Sequence, residues 1–379
     1  MKIDDLIRTY CPEGVKRVRL EEVCKKICSG GTPLRNISAY FEGNIPWMRT
    51  QEVDWKDVYD TEIKITEEAV KNSAAKLIPI NCVIIAMYGA TAAKACINKI
   101  PLTTNQACCN LQIDPKKALY KYVYYWICCR YKDIKAMGEG SQNNINAQKI
   151  KNLLIPLPPL PIQQTIVSYL DKLTSLTAEL EAELELQKKR YDFYRNRLLS
   201  FAPDSATQFD ARLNSTTPVK WMKLGEIGTF TKGSGILKSD FVEEGFPCIH
   251  YGQVHTSFQT FANKEITYIS EDLAKKCKKA HKGDLIIAST SEDVEACCKA
   301  VAWMGDYDVA VSGDAHIFSH NQNPKYMAYL FQTEMFQKQK RPFAVGAKVI
   351  RVKSENMEKF CFPLPPLSEQ ERIVGILDK

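Results

Sequence analysis

The run PLPPLPIQQTIVSYLDK at 156–172 returns as PLPPLSEQERIVGILDK at 363–379. Each copy joins a proline-rich strap to the opening of a helix. Proline fixes φ and donates no N–H, so the strap IPLPPLP (155–161) is extended and closes the domain before it. Pro161 suits the first turn of the helix that follows. Upstream of both straps the chain keeps matching itself. VKRVRLEEV (15–23) pairs with VKWMKLGEI (219–227), and ITEEAVKNSAAK (65–76) with ISEDLAKKCKKA (269–280). IPWMRTQEV (45–53) lies at the place of FPCIHYGQV (246–254), and VIIAMYGAT (83–91) at the place of LIIASTSED (285–293). The chain therefore holds two copies of one unit of about 200 residues, a duplication and not a short-period solenoid.

Within a unit, short apolar runs are broken by Gly, Pro and Asn: VRLEEVCKKI, IPWMRTQEV, NCVIIAMYG, KACINKI and TTNQACCNLQI. These predict short strands with turns between them. Helical patterns at 66–76 and 117–136 are interspersed. Strands that cluster, instead of alternating with long helices, point to an α+β domain.

The longest helical pattern is 162–200. Ile166, Leu170, Leu173, Thr177, Leu180, Leu184, Gln187, Tyr191, Tyr194 and Leu198 follow one another at spacings of four and three, and Glu and Lys or Arg fill the other faces. That is a coiled-coil seam of about five heptads. At 1.5 Å per residue it predicts a rod of roughly 55–60 Å, long enough to leave its domain and meet a helical partner. The second copy stops at Lys379, where its own helix begins, so the expectation is that this second helix is truncated and the partner rod lies outside the chain.

The 379 residues suit two or three domains. An apolar content of 45% and a charged content of 25% are globular values, which exclude collagen-like and low-complexity classes. There is no apolar stretch long enough for a membrane span and no secretory h-region, so a cytoplasmic protein is expected. The net charge of +7 is compatible with nucleic acid without demanding it. Fourteen cysteines without a signal peptide read as free thiols, and Cys82, Cys96, Cys108, Cys109, Cys128 and Cys129 sit in apolar runs. The spacings Cys24/Cys28 and His316/His320 lack a second ligand pair, so no metal is expected.

Catalytic motifs are missing: no phosphate-binding loop, no dinucleotide fingerprint, no nucleophile elbow and no zinc-protease helix. TFTKGSG (229–235) reads as a turn, and no Asn/Asp-Pro-Pro-Tyr tetrapeptide is present to grip an adenine. His250, His255, His281, His316 and His320 all fall in the second copy, as a function differing between copies would place them.

Two similar domains on a rigid rod suit a ligand with two separated half-sites, and double-stranded DNA is the obvious one. Its phosphates call for Lys and Arg, its base edges for Arg, Asn, Gln, Ser, Thr and acids. In the first copy the candidates are Arg49, Thr50 and Gln51; Tyr88, Thr91 and Lys94; Asn105 and Gln106; and the amide-rich run Ser141, Gln142, Asn143 and Asn144. In the second they are His250, Tyr251 and Gln253; Ser289, Thr290, Ser291 and Glu292; Asp314 and His316; and Lys348 and Arg351. Scaffold segments repeat between the copies and these residues do not, as two readers of different sequences require; neutral loop drift is the alternative.

The twice-seen motif PLPPL-x-x-Q-x-x-I-V-x-x-L-D-K, the charged helix ending KRYDFYRNRLL (189–199), and the PWMRTQEV and MYGATAAK segments closely resemble the DNA-specificity (S) subunit of type I restriction–modification systems. The resemblance implies an α+β chain with target recognition domains at 1–155 and 204–362, a conserved strap and spacer helix at 156–203, and the start of a second, truncated conserved helix at 363–379. It implies that each domain reads half of a bipartite DNA site while the helix docks methyltransferase (M) subunits and, through the complex, restriction (R) subunits. The docking face would be Ile166, Leu170, Leu173, Leu180, Leu184, Tyr191, Tyr194 and Leu198, with self-association of the chain as another occupant. S-adenosylmethionine, ATP and Mg are then expected on partner subunits and no cofactor here. A duplicated protein-binding scaffold, or part of a related methyltransferase or nuclease, is the other reading.

Overall fold

The computed structural model describes residues 3–138, 144–201, 219–346 and 348–379. The chain divides into two units, Met1–Glu181 and Ala182–Lys379. The helix Leu160–Ser200 begins in the first unit and ends in the second.

The first unit is built on a five-stranded sheet in the order Cys24–Ser29, Cys108–Ile113, Val83–Ala86, Ala95–Asn98, Asp57–Val58. All pairings are antiparallel except the last, where Asp57–Val58 runs parallel to its neighbour. A smaller sheet holds Ile63–Ile65, Ile45–Met48 and Thr103–Thr104. The second unit repeats the large sheet strand for strand: Gly228–Lys232, Ala315–His320, Leu285–Ala288, Lys299–Trp303, Phe261–Ala262, again with the last pair parallel. Its smaller sheet gains two strands, Phe241–Val242 and Lys279–Ala280.

The central strand explains the unbroken apolar run VIIAM. Val83 and Ile85 pack with Tyr122, Val123 and Ile127 of the helix Tyr120–Cys129, while Ile84 and Ala86 pack with Met48, Cys96 and Leu102 on the opposite face. A strand covered on both faces has no reason to alternate apolar with polar residues. Leu285/Ile287 and Ile286/Ala288 divide the second unit in the same way. All fourteen cysteines are free thiols. Cys82, Cys96, Cys108 and Cys109 are buried; Cys128 is half-buried and Cys129 exposed. Burial pushes Cys82 and Cys109 up to about 12, which keeps them protonated and unreactive.

Some predicted elements come out differently. VRLEEV is only partly strand: Arg17–Arg19 is followed by the 3-10 turn Leu20–Val23. The helical pattern at 66–76 stops early, as the helix Glu67–Lys71 capped by the Thr66 hydroxyl on the Ala69 N–H. The pattern at 117–136 splits into Tyr120–Cys129 and Tyr131–Ala136. The long helix starts at Leu160, two residues before its predicted start, with Pro161 in its first turn.

Each helix opening is tied to its own unit by the same two residues of the repeated motif. Gln163 is fully buried; its Oε1 accepts from the Leu119 N–H at 2.9 Å and its Nε2 donates to the Pro158 carbonyl at 2.8 Å. Gln370, also fully buried, accepts from the Asn323 N–H at 3.0 Å and donates to the Pro365 carbonyl at 2.8 Å. About two turns of helix further on, Asp171 accepts from Lys121 at 2.6 Å and Tyr125 at 2.7 Å. Asp378 accepts from Lys325 at 2.6 Å and Tyr329 at 2.7 Å. Tyr122 and Tyr326 complete the clamp by donating to the Pro156 and Pro363 carbonyls.

Truncating Gln163 to Ala strands buried backbone groups of the strap and of the facing helix. Urea unfolding should show the first unit destabilised by about 1–3 kcal/mol, with Gln370→Ala doing the same to the second. The carboxylates add a pH dependence. Burial alone would raise Asp171 and Asp378, but the hydrogen bonds from Lys121 and Tyr125, and from Lys325 and Tyr329, overcome it and hold both below the ordinary 3.8. A folded value depressed in this way stabilises above the unfolded value, and that stability is lost as pH falls through the folded value. Protection of the two helix openings against hydrogen exchange, relative to the intrinsic rate at each pH, should therefore fall below about pH 4, a dependence that Asp171→Asn and Asp378→Asn abolish.

Candidate nucleic-acid interface

In the first unit the candidate residues occupy loops that are stitched to one another. The Thr91 hydroxyl donates to the Thr50 carbonyl at 2.7 Å, and the Asn105 N–H to the Met48 carbonyl at 2.9 Å. The Met87 N–H reaches the Ala107 carbonyl, and the Ile145 N–H the Met87 carbonyl. Residues far apart in the chain are thus brought to one end of the unit: Arg49–Gln51, Tyr88–Lys94, Asn105–Gln106, and Asn144 beside Ile145. Gln51, Tyr88, Gln106 and Asn144 are exposed; Arg49, Thr50, Thr91, Lys94 and Asn105 are half-buried. Ser141, Gln142 and Asn143 lie outside the described residues.

The cations here are held in place. The Arg49 N–H binds the Glu52 carboxylate at 2.9 Å, and its guanidinium reaches Glu62 and Glu52. Lys94 binds Asp54 at 2.6 Å and holds that carboxyl below its ordinary range through the hydrogen bond and the charge. A guanidinium bound by Glu62, with Glu52 3.9 Å from its Nε, is ordered before any ligand arrives.

The second unit gathers its candidates in the same way with different residues. The His255 ring binds the Thr290 carbonyl at 2.9 Å, and the Tyr251 N–H donates to the Ser312 hydroxyl at 2.8 Å. Arg351 binds Asp314 at 3.0 Å across the short ribbon that pairs Thr290 with Arg351. Glu292, Lys348 and Arg351 are exposed, and Tyr251, Gln253, Ser291 and Asp314 half-buried. Ser289, Thr290, His250 and His316 do not reach the surface to the same degree: the first two are each 2% exposed and the histidines 8%. Ser289 is consumed by the Asp314 carbonyl, to which both its N–H and its hydroxyl donate at 3.0 Å. His250 caps the helix Tyr251–Thr256 by accepting from the Gly252 N–H. Burial, with Lys238 nearby, lowers His250, and burial, with Lys232, lowers His316, so both rings are neutral at pH 7 and offer hydrogen bonds rather than charge. His250, Tyr251, Asp314, Lys238 and Leu237 line a cavity of about 370 Å³.

On the long helix, Ile166 packs against the first unit's core and Leu198 is buried in the second's. Leu170 is half-buried. Leu173, Leu180 and Leu184 are 56–61% exposed, and Leu176 and Leu186 join them. Tyr191 and Tyr194 are about 40% exposed, although the Tyr191 hydroxyl reaches the Leu377 carbonyl. Among the described residues, no three His, Cys, Asp or Glu side chains are grouped to hold a metal, and no helix is long and apolar enough to cross a membrane.

The sequence reading passed over the clamp residues Lys121, Tyr122 and Tyr125 and their counterparts Lys325, Tyr326 and Tyr329. KYVYY at 121–125 and KYMAY at 325–329 stand at the repeat's own spacing, so the self-match carried the signal.

These features define a duplicated α+β protein in which one constant scaffold carries two unlike polar ends. The chain belongs to the family described as the type I restriction modification DNA specificity domain, which matches it at 12–187 and again at 218–379. It is 37% identical over 183 residues to the type I restriction enzyme EcoR124I/EcoR124II specificity subunit of Escherichia coli; that match spans 45% of this chain and 45% of the relative, about half of each. In fold it is similar to a chain of a type I R-M system solved for its complex assembly and conformational transition (TM-score 0.62, 19% identity, 97% of this chain and 90% of that one). It is also similar to the type I restriction-modification S subunit from M. genitalium (TM-score 0.51, 15% identity, 96% and 89%).

Proposed function

We propose that this chain is a non-catalytic, cytoplasmic DNA-recognition subunit of a type I restriction–modification complex, each unit reading one half of a bipartite double-stranded site. The observation that carries this reading is the contrast between the copies. The strand order of the large sheet recurs, and so do the Gln, Asp, Lys and Tyr residues of the clamps, while the loops carry Arg49, Gln51 and Gln106 in one unit and Tyr251, Asp314 and Arg351 in the other. A scaffold kept constant with readers made different suits a ligand of two unlike halves. The leucines exposed at 173–186 suit docking of methyltransferase subunits, which would carry S-adenosylmethionine; ATP and Mg would belong to restriction subunits. The helix would hold the methyltransferase where a target adenine can be flipped out of the stack.

Methylome sequencing of cells expressing the chain with its methyltransferase partner should return one bipartite adenine-methylated motif; absence of any motif rejects the proposal. Arg49→Ala should cost about 1–3 kcal/mol of discrimination and relax the first half of that motif alone. An unchanged motif would remove Arg49 from the reading loop. Leu180→Glu should abolish co-purification of the methyltransferase; if light scattering instead shows the wild-type chain pairing with itself through this face, the occupant is a second copy.

A further inference from the structure

Two leucines outside the reading loops stand exposed at equivalent places. Leu34 is 58% exposed and Leu237 64% exposed. Each is followed by an exposed cation, Arg35 or Lys238, and preceded by a buried anchor, Pro33 or Ile236. Such large apolar side chains left in water on short loops are not packing residues of their own units.

The loops that carry them are fixed by the same bond. The Gly31 N–H donates to the Thr104 carbonyl at 2.9 Å, and the Ser234 N–H to the Val311 carbonyl at 2.8 Å. Thr104 and Val311 hold the same register, opposite Met48 and Ile249 in parallel strand pairs. Both loops approach that strand so closely that a Cβ at Gly30 would overlap the Thr104 carbonyl and one at Gly233 the Ser312 carbonyl. The Trp47 indole donates to the Gly31 carbonyl at 2.9 Å, and Thr32 bonds Gln106. In the second unit the Leu237 N–H is held by Asp240 at 2.8 Å. The leucines also stand beside the candidate readers: Thr32 touches Gln106, and Leu237 lines the cavity of His250, Tyr251 and Asp314.

We infer that Leu34 and Leu237 are a pair of DNA wedges, each entering a base step of its own half-site while Arg35 or Lys238 holds the adjacent phosphate. This rests on the DNA-reading function proposed above. A leucine that recognised one base, such as a thymine methyl, would be expected to differ between two unlike readers. The same side chain in both units, where the reading residues change, fits a contact indifferent to sequence. Insertion between stacked bases is such a contact: the step is partly unstacked and the duplex kinks toward the protein. The rigid tether is what a wedge needs, because a mobile leucine would be pushed aside instead of parting the stack.

The test uses the complex of this chain with its methyltransferase and a duplex bearing the methylated site, with 2-aminopurine substituted in turn for each purine. Wild type should raise the fluorescence at one step in each half-site, apart from the target adenines. Leu34→Ala should erase the first signal only, Leu237→Ala the second only, each weakening binding by about tenfold. The dependence of binding on salt should stay unchanged, since phosphate contacts set it. Leu34→Met and Leu237→Met should keep both signals. A complex that binds the duplex with wild-type salt dependence but shows no unstacked step, or the same steps in the alanine variants, overturns the wedges and leaves DNA reading intact. A complex that does not bind DNA overturns the proposed function, and the wedges with it.

Discussion

A buried primary amide has two donors and two acceptor sites, and in a dry interior each one left unpaired is costly. Gln163 and Gln370 meet that demand by bridging a strap carbonyl behind them and a backbone N–H of the facing domain in front. The amide thereby seats the first turn of each helix on its own unit. The strap prolines assist by supplying carbonyls without N–H groups of their own that would need partners. The Asp171 and Asp378 clamps then hold the same two helices further along.

The two units share this mechanical base and differ in electrostatics at their far ends. The first end is built on ion pairs, Arg49 with Glu52 and Glu62 and Lys94 with Asp54. The second relies on neutral imidazoles, a tyrosine and one ion pair between Arg351 and Asp314. Preformed ion pairs order long side chains in advance, so less conformational entropy is lost when a ligand replaces one partner.

Much of the architecture was legible because it was written twice. The straps and the central strands stood out in the self-match, the long helix in its four-and-three apolar spacing, and the two-sided burial of VIIAM follows from its lack of alternation. Other parts lie below what local pattern can reveal. Asp57–Val58, Phe261–Ala262 and Thr103–Thr104 are two-residue strands, too short to show a period. Polarity alone also misplaces residues: Ser289 and Thr290 look like surface readers, yet the first is spent on the Asp314 carbonyl and the second is buried where it pairs with Arg351 in a short ribbon. Which of Arg49's acidic neighbours would bind it was equally hidden, since Glu62 arrives from the bend before the strand Ile63–Ile65. The exposed leucines 34 and 237 carry no motif at all and emerge only when two folded copies are laid side by side.

A chain that carries nearly the same sheet twice faces a hazard during synthesis. VIIA and LIIA could pair with each other's neighbours while the second copy is still emerging, giving a strand-exchanged trap. The two-residue strands Asp57–Val58 and Phe261–Ala262 bear on that hazard. They close one edge of each large sheet in parallel orientation and offer at most two rungs to a stray strand, too few to repay its ordering. Brevity at the sheet margin thus acts as insulation, leaving an exchanged strand little to gain at that edge.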